Sequence, residues 1–299
     1  MSESNTPRAT PAAATLIGGG AIVLWATLAL FTTWTRGIPP LQLAAMAFFI
    51  AFLLALGKWL WRGESIVAHL RQPAGAWLIG ALGLFLYHAL YFFALRRAPT
   101  VEANLVNYLW PLLIVLFSGV LPGERLRLHH AIGALMGFAG AALLIARDAD
   151  FRAEHSAGYL AALGCAVVWA VYSVGARRYR TVPTDAVGGF CLGACLLSAI
   201  AHLAFETTAP LAPAQWLVVL AIGIGPVGAA FFLWDIGVKR GDIRALGAAA
   251  YATPLLSTLL LLVFGAGALT WRVAAAALLI TAGGLLAGRD LMRGRPAST

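Results

Sequence analysis

Apolar runs of about 20 residues recur along this chain from residue 14 almost to its end, and few folds can use them. A helix of that length crosses the ~30 Å hydrocarbon core of a bilayer while satisfying every backbone hydrogen bond internally. Ten such spans are predicted, at 14–34, 41–61, 74–95, 100–121, 130–146, 157–177, 186–205, 214–236, 244–264 and 271–288. Pro39, Pro40, Pro73, Pro99, Pro122, Pro183, Pro210 and Pro213 fall in or beside the connections, where a missing N–H does least harm. The connections are short, so spans adjacent in sequence are expected to pack as antiparallel neighbours. Residues 1–13 read as a disordered polar tail and 291–299 as a second tail. The small residues Ala12, Ala13 and Ala14 precede the first span rather than follow it, so no cleavage site is positioned to remove that span.

Charge is consistent with an all-α polytopic membrane protein and with little else. Only 11% of residues are charged against 61% hydrophobic, which excludes an ordinary soluble domain. The formal charge of +9 does not indicate nucleic acid, because the basic residues lie singly or in short clusters between apolar runs. With the N-terminus in the cytoplasm, fifteen of the 21 Lys and Arg residues fall on the cytoplasmic side and six on the other. The positive-inside rule therefore predicts that both termini are cytoplasmic. Cys165, Cys191 and Cys195 all lie within apolar runs and are expected as packed, reduced thiols; neither zinc spacing nor paired loop cysteines occur.

An internal repeat sharpens the architecture. An offset of 143 residues superposes Arg97 on Arg240, Tyr108 on Tyr251, Pro111 on Pro254, Leu112 on Leu255, Leu113 on Leu256 and Gly140 on Gly283. At 144, Gly20 meets Gly164, Trp25 meets Trp169 and Ala26 meets Ala170. Each repeat, 14–147 and 156–290, holds five spans, an odd number, so the second must enter the membrane inverted. Inverted repeats commonly hold a substrate near the midplane and expose it to each side in turn. A secondary transporter with a central cavity is the expectation from topology.

Residues 88–111 gather the polar groups that the rest of the chain keeps apart. Groups of this kind inside lipid-length segments face a protein interior or a watery cavity. Asn104, Asn107, Tyr108 and Pro111 share one helical face with Trp110 on its flank; Tyr87, His88, Tyr91 and Leu95 share another on the preceding span. These faces offer amides, phenols and an imidazole beside aromatic surfaces. Trp25 and Trp169, related by the repeat, are placed to flank one cavity from opposite sides, with Tyr172 beside the second. Pro111, Pro254 and Pro226 leave the carbonyls of Asn107, Ala250 and Ile222 without their helical donors, either to receive an ammonium group or merely to kink helices for packing. Trp34, Trp59, Trp61, Trp77, Trp216 and Trp271 lie near span ends and read as an interfacial belt.

The two five-span halves, with Trp-Ala in the first and sixth spans and Tyr-x-x-Pro in the fourth and ninth, resemble the EamA-type drug/metabolite transporter superfamily over residues 14–290. Within it, Asn107-Tyr-Leu-Trp-Pro-Leu-Leu113 is similar to the YddG-type aromatic amino acid exporters. The resemblance implies export of Phe, Tyr, Trp and other neutral amino acids across a bacterial inner membrane by a monomer without cofactor or metal. The implied substrate-binding set is His88, Tyr91, Asn104, Asn107, Tyr108, Trp110, Trp25, Trp169, Tyr172 and Tyr251, with Pro111 and Pro254 as hinges. The first span lacks the carboxylate that small multidrug exporters use for cations, and mid-depth charge is scarce, which favours neutral cargo and uncoupled transport. Exporters of other metabolites or drugs are the nearest alternative. No P-loop or HExxH occurs, residues 171–175 lack the first Gly of G-x-S-x-G, and no pair of mid-depth aspartates appears, so an ATPase or intramembrane enzyme is not expected.

Overall fold

The computed structural model describes residues 10–32, 34–122, 125–146, 149–263 and 270–292; the tails 1–9 and 293–299 lie outside the described residues. These residues form helices and connections only. Eight helices are long and apolar enough to cross a membrane: α2 (Pro40–Trp61), α3 (Ala74–Arg97), α4 (Thr100–Ser118), α5 (Leu128–Ile145), α6 (within Ala153–Arg178), α7 (within Thr184–Phe205), α8 (Pro213–Arg240) and α9 (Ile243–Leu260). Two more are apolar but shorter, α1 (Pro11–Ala26, 16 residues) and α10 (Trp271–Ala287, 17 residues). Helix α1 begins at Pro11, ahead of the expected residue 14. Thr10 accounts for this start: its hydroxyl accepts the Ala13 N–H, and the proline behind it needs no donor in a first helical turn.

Four helices are irregular, at corresponding places in the two halves. Helix α4 breaks between Asn107 and Trp110, and α9 between Ala249 and Ala252. Each break lies just ahead of a proline, Pro111 or Pro254, which enters the first turn of the following half-helix. There its missing N–H removes nothing the helix would use. Helices α3 and α8 carry π-helical turns at Leu78–Leu82 and Gly225–Ala229.

The closest packing differs from the expectation of sequential neighbours. Helix α5 packs chiefly on α10, α2 on α7, α1 on α8 and α3 on α6, so the two halves interlock. The physical reason is that lipid gives adjacent apolar helices no hydrophobic drive to associate; contact goes where small residues let backbones approach. Gly133 and Gly283 meet at the α5–α10 crossing, Gly18 and Gly237 at the α1–α8 crossing, and a Cβ on any of the four would lie within 2.8 Å of the opposing backbone. Interlocking halves set the central residues of α1, α3, α4, α6 and α8 facing one another.

Most of the expected belt tryptophans are exposed at span ends: Trp34, Trp61, Trp216 and Trp271. Trp59 and Trp77 are the exceptions: Trp77 is half-buried, edge-on to Phe190 at 5.4 Å, and donates to the Leu70 carbonyl at 3.1 Å. Trp59 is fully buried: it stacks on His69 of the short helix Ile66–Leu70 with ring centroids 4.7 Å apart, and its ring also lies against Gly188 of α7, where a Cβ would come within 3.0 Å of it. Arg96 pairs with Glu206 at 3.0 Å, and Glu206 also accepts the Leu41 and Gln42 N–H groups at the start of α2. That carboxylate ties α2, α3 and α7 together at one end of the bundle. All three cysteines are buried free thiols.

Candidate functional site

Four tryptophans from four helices converge at the middle of the bundle. Trp25 of α1 lies 6.2 Å from Trp110 of α4, 5.5 Å from Trp169 of α6 and 5.0 Å from Trp234 of α8, as ring centroids. Trp110 is edge-on to both Trp169 and Trp234, at 6.2 and 5.8 Å. T-shaped contacts set the positive edge of one ring against the negative face of the next, so the cluster is held by directed as well as dispersive attraction. Phe231 and Phe48 extend it, and Tyr172 stands 5.1 Å from Trp169.

Hydrogen bonding fixes two of the indoles. Trp25 donates through Nε1 to the Pro226 carbonyl at 3.0 Å, an oxygen in the π-helical turn of α8. Trp234 donates to Ser173 Oγ at 3.0 Å. Trp169 Nε1 is buried without a protein acceptor.

A polar ladder between α3 and α4 borders the aromatic cluster. Tyr91 donates to Asn104 Oδ1 at 2.5 Å, and Asn107 Nδ2 donates to Tyr87 Oη at 3.3 Å. Tyr87 in turn lies 4.9 Å from Trp169, so it joins the ladder to the indoles. Asn107 Oδ1 is buried and has no protein donor. His88 Nδ1 lies 2.8 Å from the Leu84 carbonyl, which can only accept; the imidazole proton is therefore on Nδ1, and Nε2 is the acceptor of the neutral ring. Its ring is edge-on to Phe48 at 5.0 Å.

The helix breaks explain how these groups reach the centre. The interruption of α4 falls between Asn107 and Trp110, so the amide belongs to one half-helix and the indole to the next. Trp25 similarly closes α1 just before Thr27, where the chain turns into the short helix Leu28–Thr32.

Of the residues singled out from the sequence, Trp25, Trp110, Trp169, Tyr172, His88, Tyr91, Asn104 and Asn107 come together around this centre. Tyr108 and Tyr251 lie in an adjoining cluster between α4, α5 and α9. Tyr251 is fully buried against Gly137 and Phe138, and its hydroxyl accepts the Leu112 N–H at 3.1 Å, just beyond the α4 break. Removing that acceptor leaves a buried N–H unpaired, so Tyr251→Phe should lower folding stability by about 1–3 kcal/mol. Thermal unfolding in detergent checks this, and an unchanged midpoint would refute it.

Trp234, Phe231, Phe48 and Ser173 complete the site and were not among the sequence candidates. The repeat does carry a signal for two of them: the 143-residue offset sets Phe231 on His88 and Trp234 on Tyr91. The α8 face thus mirrors the α3 face with aromatic rings in place of polar ones.

The EamA-like transporter family model matches twice, over residues 13–146 and 156–289. The aromatic amino acid exporter YddG of Ancylobacter novellus is 52% identical over 277 residues, covering 92% of this chain and 96% of the relative. YddG of Escherichia coli is 27% identical over 94% of this chain and 98% of its own. A biotin transporter of Salmonella typhimurium is 30% identical over 57% of this chain and 58% of its own. A crystal structure of a protein 51% identical to this one superposes with a TM-score of 0.91, covering 96% of this chain and all of the other. With one copy of the family's domain in each interlocked half and the indole cluster between them, the chain belongs to the EamA-like transporter family.

Proposed function

We propose that this protein exports aromatic and other neutral amino acids across a bacterial inner membrane, as a monomer with ten spans and both termini cytoplasmic. One observation carries the cargo: a buried acceptor without a donor, Asn107 Oδ1, and a buried donor without an acceptor, Trp169 Nε1, flank Tyr87 beside a wall of indoles. Unpaired buried polar atoms are costly, and a zwitterion supplies what both lack, an ammonium for the amide oxygen and a carboxylate for the indole N–H. The aromatic wall takes the side chain. The names of relatives spanning nearly the whole chain support the same cargo.

The packing of the halves supports a two-fold relation between them. The α3–α6 contact corresponds to α8–α1, α4–α6 corresponds to α9–α1, and α2–α7, α4–α9 and α5–α10 map onto themselves. That is the pattern of a two-fold axis relating the halves; with five spans in each half the axis lies in the membrane plane, which permits rocking of one half on the other. His88, Tyr91, Asn104, Asn107, Trp110, Trp25, Trp169 and Tyr172 form the substrate site, Tyr108 and Tyr251 support it from the adjoining cluster, and the breaks at Pro111 and Pro254 act as hinges. Uncoupled transport is the simpler reading because mid-depth charge is scarce: Asp235 is paired with Lys239, and the proton-carrier candidates to test are His88 and Glu102, whose Oε1 accepts the Asp150 N–H while its Oε2 is buried without a donor.

Counterflow in liposomes holding the purified protein tests the reading, with labelled Phe, Trp and Thr and a cationic dye. Saturable exchange of Phe and Trp that persists when the proton gradient is collapsed is expected. Dye movement without amino acid exchange would discard the cargo while keeping the family.

A further inference from the structure

His88 brings to the central site an acceptor that the two ends of a zwitterion leave unused. Its Nδ1 is tied to the Leu84 carbonyl on its own helix at 2.8 Å, so Nε2, on the far edge of the ring, faces away from the α3 backbone. The residue is half-buried, and no donor reaches Nε2 among the described residues. Neighbouring polar groups are engaged elsewhere: Trp25 Nε1 on the Pro226 carbonyl, Trp234 Nε1 on Ser173 and the Tyr91 hydroxyl on Asn104. Asn107 Oδ1 and Trp169 Nε1 are taken by the ammonium and the carboxylate of the cargo proposed above.

The imidazole stands among aromatic rings. Phe48 of α2, Tyr87 and Phe92 of α3 and Phe231 of α8 have their ring centroids 5.0, 5.3, 6.2 and 6.4 Å from its own. Phe231 is also the residue that the internal repeat sets in register with His88. A phenylalanine at 88 would extend the aromatic wall equally well; what the imidazole adds is one acceptor in apolar surroundings. There an unmade hydrogen bond is costly and a made one is stronger than in water. The Tyr87 ring joins this acceptor to the polar pair, since it lies 5.3 Å from His88 and 4.9 Å from Trp169 and its hydroxyl accepts the Asn107 amide. One small ligand can thus meet all three groups.

We propose that His88 Nε2 accepts the side-chain donor of the cargo, the indole N–H of Trp or the phenol O–H of Tyr, and so makes the protein prefer these two over Phe. This rests on the amino acid cargo proposed above and adds a ranking within the aromatic class. Phe fills the same wall but leaves the acceptor unpaired, and a site with a built hydrogen-bonding group discriminates against the analogue that lacks its partner. The imidazole acts in its neutral form, and no proton is transferred.

Counterflow of labelled Phe in liposomes is competed with two matched pairs. Trp is set against 3-benzothienylalanine, whose sulfur replaces the indole N–H in a ring of nearly the same shape, and Tyr against 4-fluorophenylalanine. In the wild type, half-inhibition should favour the donor-bearing member of each pair by about fivefold or more. His88→Phe should bring both ratios to within about twofold of unity, whatever its overall rate. His88→Gln, whose amide oxygen reaches close to the place of Nε2, should hold both ratios above those of His88→Phe. Equal inhibition within each pair by the wild type, ratios that survive His88→Phe, or ratios as low in His88→Gln as in His88→Phe would each overturn the assignment. Should His88→Phe fail to accumulate, His88→Leu is judged by the same ratios. A wild type that exchanges no aromatic amino acid would overturn the cargo reading instead.

Discussion

Trp110→Ala should reduce exchange of labelled Phe by about tenfold or more at equal membrane abundance, while Trp216→Ala stays within about twofold of wild type. The two substitutions delete the same side chain from different places. Trp110 is 6% exposed and edge-on to Trp25, Trp169 and Trp234, whereas Trp216 is 56% exposed at a span end. An aromatic contact is worth about 0.5–1.5 kcal/mol beyond area burial, and removing the indole also lets its three neighbours relax away from substrate. Truncation of a buried Trp typically costs about 3–5 kcal/mol of stability, so surviving folded protein must be measured alongside transport. Trp110→Phe keeps a ring in the cluster and should recover a substantial part of the exchange. Equal transport by Trp110→Ala and Trp216→Ala would remove the indole cluster from the path.

The membrane-spanning character and the duplication were legible because they are written in composition and spacing, which local rules read directly. The disturbance of α4 was legible for the same reason, since Pro111 removes the donor for the Asn107 carbonyl; that it becomes a break, where Pro226 is carried through α8 in a π-helical turn, was not. Contacts between halves were not, because in lipid they depend on which small-residue faces meet, and glycine is too common in this chain for its spacing to name a partner. Trp59 illustrates the limit, since position alone assigns it to the interface, and the return of Ile66–Leu70 together with the close approach of Gly188 on α7 buries it. Trp234 illustrates a signal present but unread. Its counterpart in the repeat is Tyr91, and a site built across an inverted duplication draws on both copies of a face, so each candidate in one half points to its equivalent in the other.

Gly283→Leu should abolish the well-folded protein, while Gly284→Leu, one residue away, leaves it intact. A Cβ at 283 would lie 2.5 Å from the Gly133 carbonyl oxygen, and one at 133 would lie 2.5 Å from the Gly283 carbonyl oxygen. The clash is with backbone on both sides, so no rotamer change relieves it and the helices must separate. Overpacking of a tight contact costs about 1–3 kcal/mol and occasionally more, and here it also breaks the main attachment of α10, whose principal neighbour is α5. A Cβ at 284 meets nothing within 4 Å. Composition, helix propensity and hydrophobicity change identically in the two variants, so the difference between them isolates backbone approach. The measurement is the thermal midpoint and the monodisperse fraction after detergent extraction. Similar behaviour of the two variants would mean that the α5–α10 crossing does not hold the halves together. Gly133→Ala, the smallest possible addition on the facing helix, should then be as harmless as Gly284→Leu, whereas the close crossing requires it to be damaging.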